Sequence, residues 1–119
     1  MTSLETALLA VKAIAGKKGL DIQVIEISDI SMHADYMVIA TGNSSTHVKA
    51  LADEVEYQLD KAGISVSHIE GYRSNTWILL DYIDVIVNVF DNEAREFYDL
   101  DRMWQDGKPV DLSDVVTEN

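Results

Sequence analysis

Apolar residues along this chain change their period several times, and each change marks an element. Leu4, Leu8, Val11 and Ala15, with Ala7 and Ile14 beside them, recur every three or four residues, the repeat of an amphipathic helix. Thr2 and Glu5 have the spacing of a capping box, and Gly16 and Gly19 fall where a helix should end, so the first helix is expected over about residues 3–17. Ile22 to Ile27 reads as a β-branched strand, and Tyr36 to Ala40 is a continuous apolar run of the kind buried on both faces of a sheet. Val48, Leu51, Ala52, Val55, Leu59 and Ala62 restore the helical repeat over about 45–62, and Gly63 ends it. A weaker strand follows at 66–71. Two strong ones, Thr76 to Tyr82 and Val85 to Phe90, are close enough to form an antiparallel hairpin. Asp91 or Asn92 can cap a short helix over 93–98, and Phe97, Leu100 and Trp104 keep helical spacing beyond it.

The order α-β-β-α-β-β-β-α predicts a single α/β domain over residues 1–106, with a mixed five-stranded sheet flanked by helices. The segment from the second strand through the long helix to the third strand is long enough for a parallel crossover. From Gly107 the chain turns polar and carries its only proline, Pro109, so 107–119 is expected to be a flexible acidic tail.

Composition narrows the function. The 119 residues carry 21 acids against 9 Lys and Arg, a formal net charge of −12. Nucleic-acid backbones are bound by clustered basic residues, so direct binding to DNA or RNA is disfavoured, and a basic protein partner or no macromolecular partner at all fits better. Residues 81–119 hold 11 acids and 3 bases, or −8 of that −12. This excess reads either as a solvated tail or as an acidic docking surface. The absence of cysteine excludes a disulfide framework, a thiolate metal site and a cysteine nucleophile. No stretch approaches the roughly 20 apolar residues of a membrane span, and the start of the chain lacks a signal-peptide pattern. A cytoplasmic protein is expected.

Three constellations could carry chemistry. The turn Gly42-Asn43-Ser44-Ser45 joins a buried strand to a helix N-terminus, a geometry that binds anions. It has one glycine and no following lysine, so helix capping explains it as well. Asp81 and Asp84 flank the hairpin turn, where paired carboxylates could hold Mg²⁺ or simply bond nearby backbone. Together these would make a nucleotide-binding or nucleotidyl-transfer enzyme. Trp77, by period-two alternation, shares a strand face with Leu79 and Asp81. It is either core or an interface anchor that Arg95, Tyr98 and Trp104 would extend. His33, His47 and His68 match no metal-ligand spacing, and no cofactor or metal is expected.

Several motifs then resemble one family. The runs Asp35-Tyr36-Met37-Val38-Ile39-Ala40-Thr41-Gly42-Asn43-Ser44, Glu70-Gly71, Trp77 through Phe90, and Arg95 through Trp104 are similar in content and order to those of the Iojap-like ribosomal silencing factors. Departures are Met37, Ile83 and Asn88, where the family usually has Phe, Gly and His. The resemblance implies a nucleotidyltransferase-like fold without its catalytic motif, hence no enzyme. It also implies a factor that binds ribosomal protein fourteen of the large ribosomal subunit, blocks joining of the small subunit and represses translation under nutrient limitation. A homodimer is implied when the factor is free. The partner-binding residues expected on this basis are Trp77, Leu79, Asp81, Asp84, Arg95, Tyr98, Leu100 and Trp104.

Overall fold

The computed structural model describes residues 1–71 and 75–116. Helix α1 (Ser3–Gly16) starts at the capping box: Thr2 Oγ1 accepts the Glu5 N–H at 3.1 Å, and the Glu5 carboxylate accepts the Thr2 N–H at 2.8 Å. Its buried face is Thr6, Ala7, Ala10, Val11, Ala13 and Ile14, whereas Leu4 is exposed. The inward stripe is therefore rotated from the one that Leu4 and Leu8 suggest. Three alanines lie on it, and small side chains let the helix backbone approach the layer beneath.

Strands β1 (Leu20–Glu26) and β2 (Tyr36–Thr41) pair antiparallel. Helix α2 (Ser45–Lys61) follows, with Ser44 Oγ accepting the His47 N–H as its N-cap. Then come β3 (His68–Glu70), β4 (Trp77–Asp81), β5 (Val85–Phe90) and α3 (Asn92–Tyr98), which Asp91 caps by accepting the Ala94 N–H at 2.8 Å. The short helix α4 (Leu100–Met103) completes the helices of the described residues.

The sheet has six strands, not five, in the order β3-β4-β5-β2-β1-β6. The addition is β6 (Lys108–Pro109), which lies in the segment expected to be a loose tail and pairs with Ile25 and Glu26 of β1. Val110 N–H continues the ladder to Val24 O at 2.9 Å, and Val110, Leu112, Val115 and Val116 pack partly buried on the core. The physical reason is the edge itself: β1 would otherwise present a row of unpaired backbone groups. Proline is tolerated there because an outermost strand needs no donor on its free side.

The β4–β5 hairpin forms as expected, and β2 pairs parallel to β5. Strand β3 runs parallel to β2, as the crossover implies, but three places away, because the hairpin occupies the positions between them. On one face of the sheet, α1 and α2 bury Val24, Val38, Ala40, Ile78, Leu80, Val85, Val87 and Val89. On the other, Ile25, Met37, Ile39 and Phe90 pack under Ala94 and Leu100 of the short α3 and α4. Two short helices cannot cover a six-stranded sheet, so part of this second face stays open along β4.

Candidate functional site

Strict alternation along β4 sets the open face. Ile78 and Leu80 are fully buried against the long helices, while Trp77, Leu79 and Asp81 are half-buried on the other side. Trp77 is both core and surface. Its ring packs at a tilt on Phe90, 5.0 Å between centroids, and on Tyr98, 4.5 Å, and its Nε1–H donates to Asn88 Oδ1 at 3.0 Å. Asn88 is 1% exposed, and its Nδ2 donates in turn to the Met37 sulfur at 2.8 Å. The indole is thus held in one orientation by a buried amide that is itself anchored. Met37 and Asn88, two of the departures named above, are in direct contact.

Helix α3 brings Tyr98 onto Trp77 and points Phe97 outward, 80% exposed, with the two rings edge to face at 5.0 Å. Sequence periodicity missed Phe97 as a surface residue. The repeat Phe97–Leu100–Trp104 is broken at Asp99, whose left-handed φ of 49° ends α3 and restarts the chain as α4. An Asp between two helical stretches was the available signal, since Asp tolerates that conformation.

Not every expected contact residue is free to make contact. Leu100 is 7% exposed and belongs to the core under α4. Trp104 is half-buried against the same cluster. The Arg95 guanidinium grips Asp101 through two parallel bonds, Nε to Oδ1 at 2.8 Å and a terminal nitrogen to Oδ2 at 2.9 Å, and reaches Thr41 Oγ1 at 2.7 Å. Three of its five N–H donors are engaged within the fold. Arg95 locks α3, α4 and the end of β2 together beneath the aromatic surface. The hydrogen bonds from Arg95, together with its charge, hold the Asp101 carboxyl below the usual carboxylate range.

At the far end of β4 the hairpin turns in two residues. Asp81 Oδ1 accepts the Ile83 N–H at 2.7 Å, and Asp84 N–H donates to Tyr82 O at 2.9 Å across Ile83, whose φ is +75°. This is the rare positive-φ γ-turn. The Asp84 carbonyl accepts the Asp35 and Tyr36 N–H groups, which stitches the turn to the start of β2. Its side chain is exposed.

The enzyme alternative needs the Gly42–Ser45 turn and the two aspartates to share a substrate. The sheet separates them. Thr41 pairs with Phe90 at one end of the β2–β5 ladder, and Tyr36 pairs with Val85 at the other, so the turn and the carboxylates lie roughly 20 Å apart. The turn is also engaged internally. Asn43 N–H donates to His47 Nδ1 at 2.9 Å, and His47 Nε2 meets Lys17 O at 2.8 Å. Nδ1 must accept and Nε2 must donate, which defines the tautomer. No group of three His, Asp or Glu side chains placed to hold a metal occurs among the described residues, and no helix among them is long and apolar enough to cross a membrane.

The fold that carries this face recurs in known proteins. The family model described as "Ribosomal silencing factor during starvation" matches residues 1–119. A protein of Halalkalibacterium halodurans named "Ribosomal silencing factor RsfS" is 35% identical over 117 residues, covering 98% of this chain and 100% of that one. A protein of the same name from Bacillus subtilis is 38% identical over 104 residues, 87% of this chain and 88% of its own. A crystal structure of a Chromobacterium violaceum protein superposes with a TM-score of 0.86 at 36% identity over 88% of each chain. With its whole length matched and its fold shared, this chain belongs to the ribosomal silencing factor family.

Proposed function

We propose that this protein silences translation by docking on the large ribosomal subunit, through the basic surface of ribosomal protein fourteen, so that its bulk keeps the small subunit from joining. One observation carries the reading. In a chain of net charge −12, a sheet face is left open with Trp77, Leu79, Ile86, Tyr98 and Phe97 half or fully exposed, and Asp81 and Asp84 stand at its far end. Buried aromatic anchors with a charged rim are the anatomy of a protein interface, and acid on this side suits a basic partner on the other. The family name supplies the ribosome as the destination.

In this reading Trp77, Leu79, Asp81, Asp84 and Tyr98 make contact, while Arg95, Leu100 and Trp104 hold the surface in shape. Catalysis plays no part. Affinity does: occupying 99% of subunits takes free factor at about 100 times the dissociation constant. The factor works in the cytoplasm and, when free, pairs with a second copy.

Sedimentation with separated subunits tests the function. The protein should travel with large subunits and not small ones, and pre-bound factor should prevent the two from re-associating. Phe97→Ala tests the site. That side chain is 80% exposed and carries little fold stability, so the variant should keep its unfolding midpoint and lose large-subunit affinity by about tenfold. Absence of co-migration refutes the function. Undiminished binding by Phe97→Ala and Tyr98→Ala together refutes the surface.

A further inference from the structure

The sharpest backbone anomaly among the described residues is Ile83. Its φ of +75° lies in the region that glycine adopts freely and that β-branched residues avoid. The side chain has no packing to justify it, being 64% exposed at the hairpin tip. Strain of this kind costs about 1–3 kcal/mol and persists only where the surroundings impose it. Here they do: Asp81 Oδ1 holds the Ile83 N–H, and the Tyr82 carbonyl accepts the Asp84 N–H.

The tip has apolar company. The link between β1 and β2 ends beside it, because Asp35 N–H donates to the Asp84 carbonyl at 2.7 Å. That link carries Ile30, 47% exposed, and Met32, 100% exposed. Carboxylates lie at the tip and at the end of that link: Asp84 is exposed, and Asp35 and Asp81 are half-buried, whereas Asp29 is taken by Lys108 at 3.0 Å. Exposed apolar side chains beside acid are costly in water and suit an apolar recess rimmed by lysine and arginine.

We infer that Ile83 is an anchor side chain, presented by a strained γ-turn, which enters an apolar recess on the basic ribosomal protein. The inference rests on the docking reading above and extends it to the end of the sheet away from Trp77. It also explains why a strained isoleucine occupies the turn: the conformation aims the side chain outward, and its binding contact offsets the strain.

Ile83→Gly separates the two consequences. Glycine relieves the strain, so the thermal midpoint should rise, while affinity for isolated large subunits should fall about tenfold, the scale of an anchor truncation. Ile83→Val keeps both the strain and most of the apolar surface and should match the wild type in both measurements. Binding of Ile83→Gly within twofold of wild type, with wild type bound and Phe97→Ala weakened, overturns this inference and leaves the docking reading standing. Failure of the wild type itself to bind overturns both.

Discussion

At the scale of single residues, the aromatic surface stands on two buried polar contacts. Trp77 cannot be removed cleanly, because Trp77→Ala would discard two ring contacts and strand Asn88 Oδ1 without its donor. Loss of binding in that variant would confuse a damaged fold with a damaged surface, which is why the exposed Phe97 is the better probe. The Arg95–Asp101 pair is the second support, and it leaves a signature in pH. Arg95 holds the Asp101 carboxyl below its usual range in the folded state. The unfolded chain releases that carboxyl to its ordinary value near 4. A depressed folded pKa means the pair stabilises above that value and loses its contribution as pH falls through the folded one. Asp101→Asn should therefore cost about 1.5–3 kcal/mol at pH 7, the range for a hydrogen bond to a charged group, and progressively less as pH falls below the ordinary carboxylate range. Urea unfolding of both proteins at pH 7 and at low pH measures the difference. A penalty that stays constant with pH would show that the carboxylate charge contributes nothing.

Among elements, legibility in the sequence followed the length of the periodic signal. The β4–β5 hairpin was readable because Ile78, Leu80, Val85, Val87 and Val89 all belong on one face, and the alternation that buries them places Trp77, Leu79 and Asp81 opposite. Tertiary contacts without periodicity were not readable. The two residues of β6 have no repeat to detect, and Pro109 there argued for a loop. The αL residue Asp99 interrupts a repeat that looked continuous on paper, and so sent Phe97 outward. Arg95 looked like an interface residue by composition, because its partners Asp101 and Thr41 are brought to it only by folding. His47 teaches the same lesson at an element boundary. It lies in a turn that resembles an anion site, yet its ring joins the carbonyl of Lys17, just beyond α1, to the Asn43 N–H ahead of α2. His47→Ala should cut this tie and cost about 1–2 kcal/mol in urea unfolding, with no change in large-subunit binding, since α2 lies on the face of the sheet opposite Trp77 and α3. A selective loss of binding at unchanged stability would move the docking surface to the face covered by α1 and α2.

For the molecule as a whole, charge decides between partners more strongly than shape does. The open face offers its aromatics to either of two proposed coverings, a second copy of this chain or a basic protein. Their electrostatics have opposite signs. Two copies bring −12 against −12, a repulsion that apolar contact must overcome, whereas a basic partner adds attraction to the same contact. Salt screens both, since the Debye length shrinks from about 10 Å at 0.1 M to about 3 Å at 1 M. Raising salt should therefore tighten self-association and weaken binding to isolated ribosomal protein fourteen. Sedimentation velocity of each mixture at 0.1 M and 0.5 M salt reads both trends. If the two coverings share the face, adding the ribosomal protein at low salt should also convert dimer to a one-to-one complex, and raising salt should return dimer. Trends that run in the same direction would mean that net charge does not govern the choice, and that the −8 held by residues 81–119 serves solvation alone.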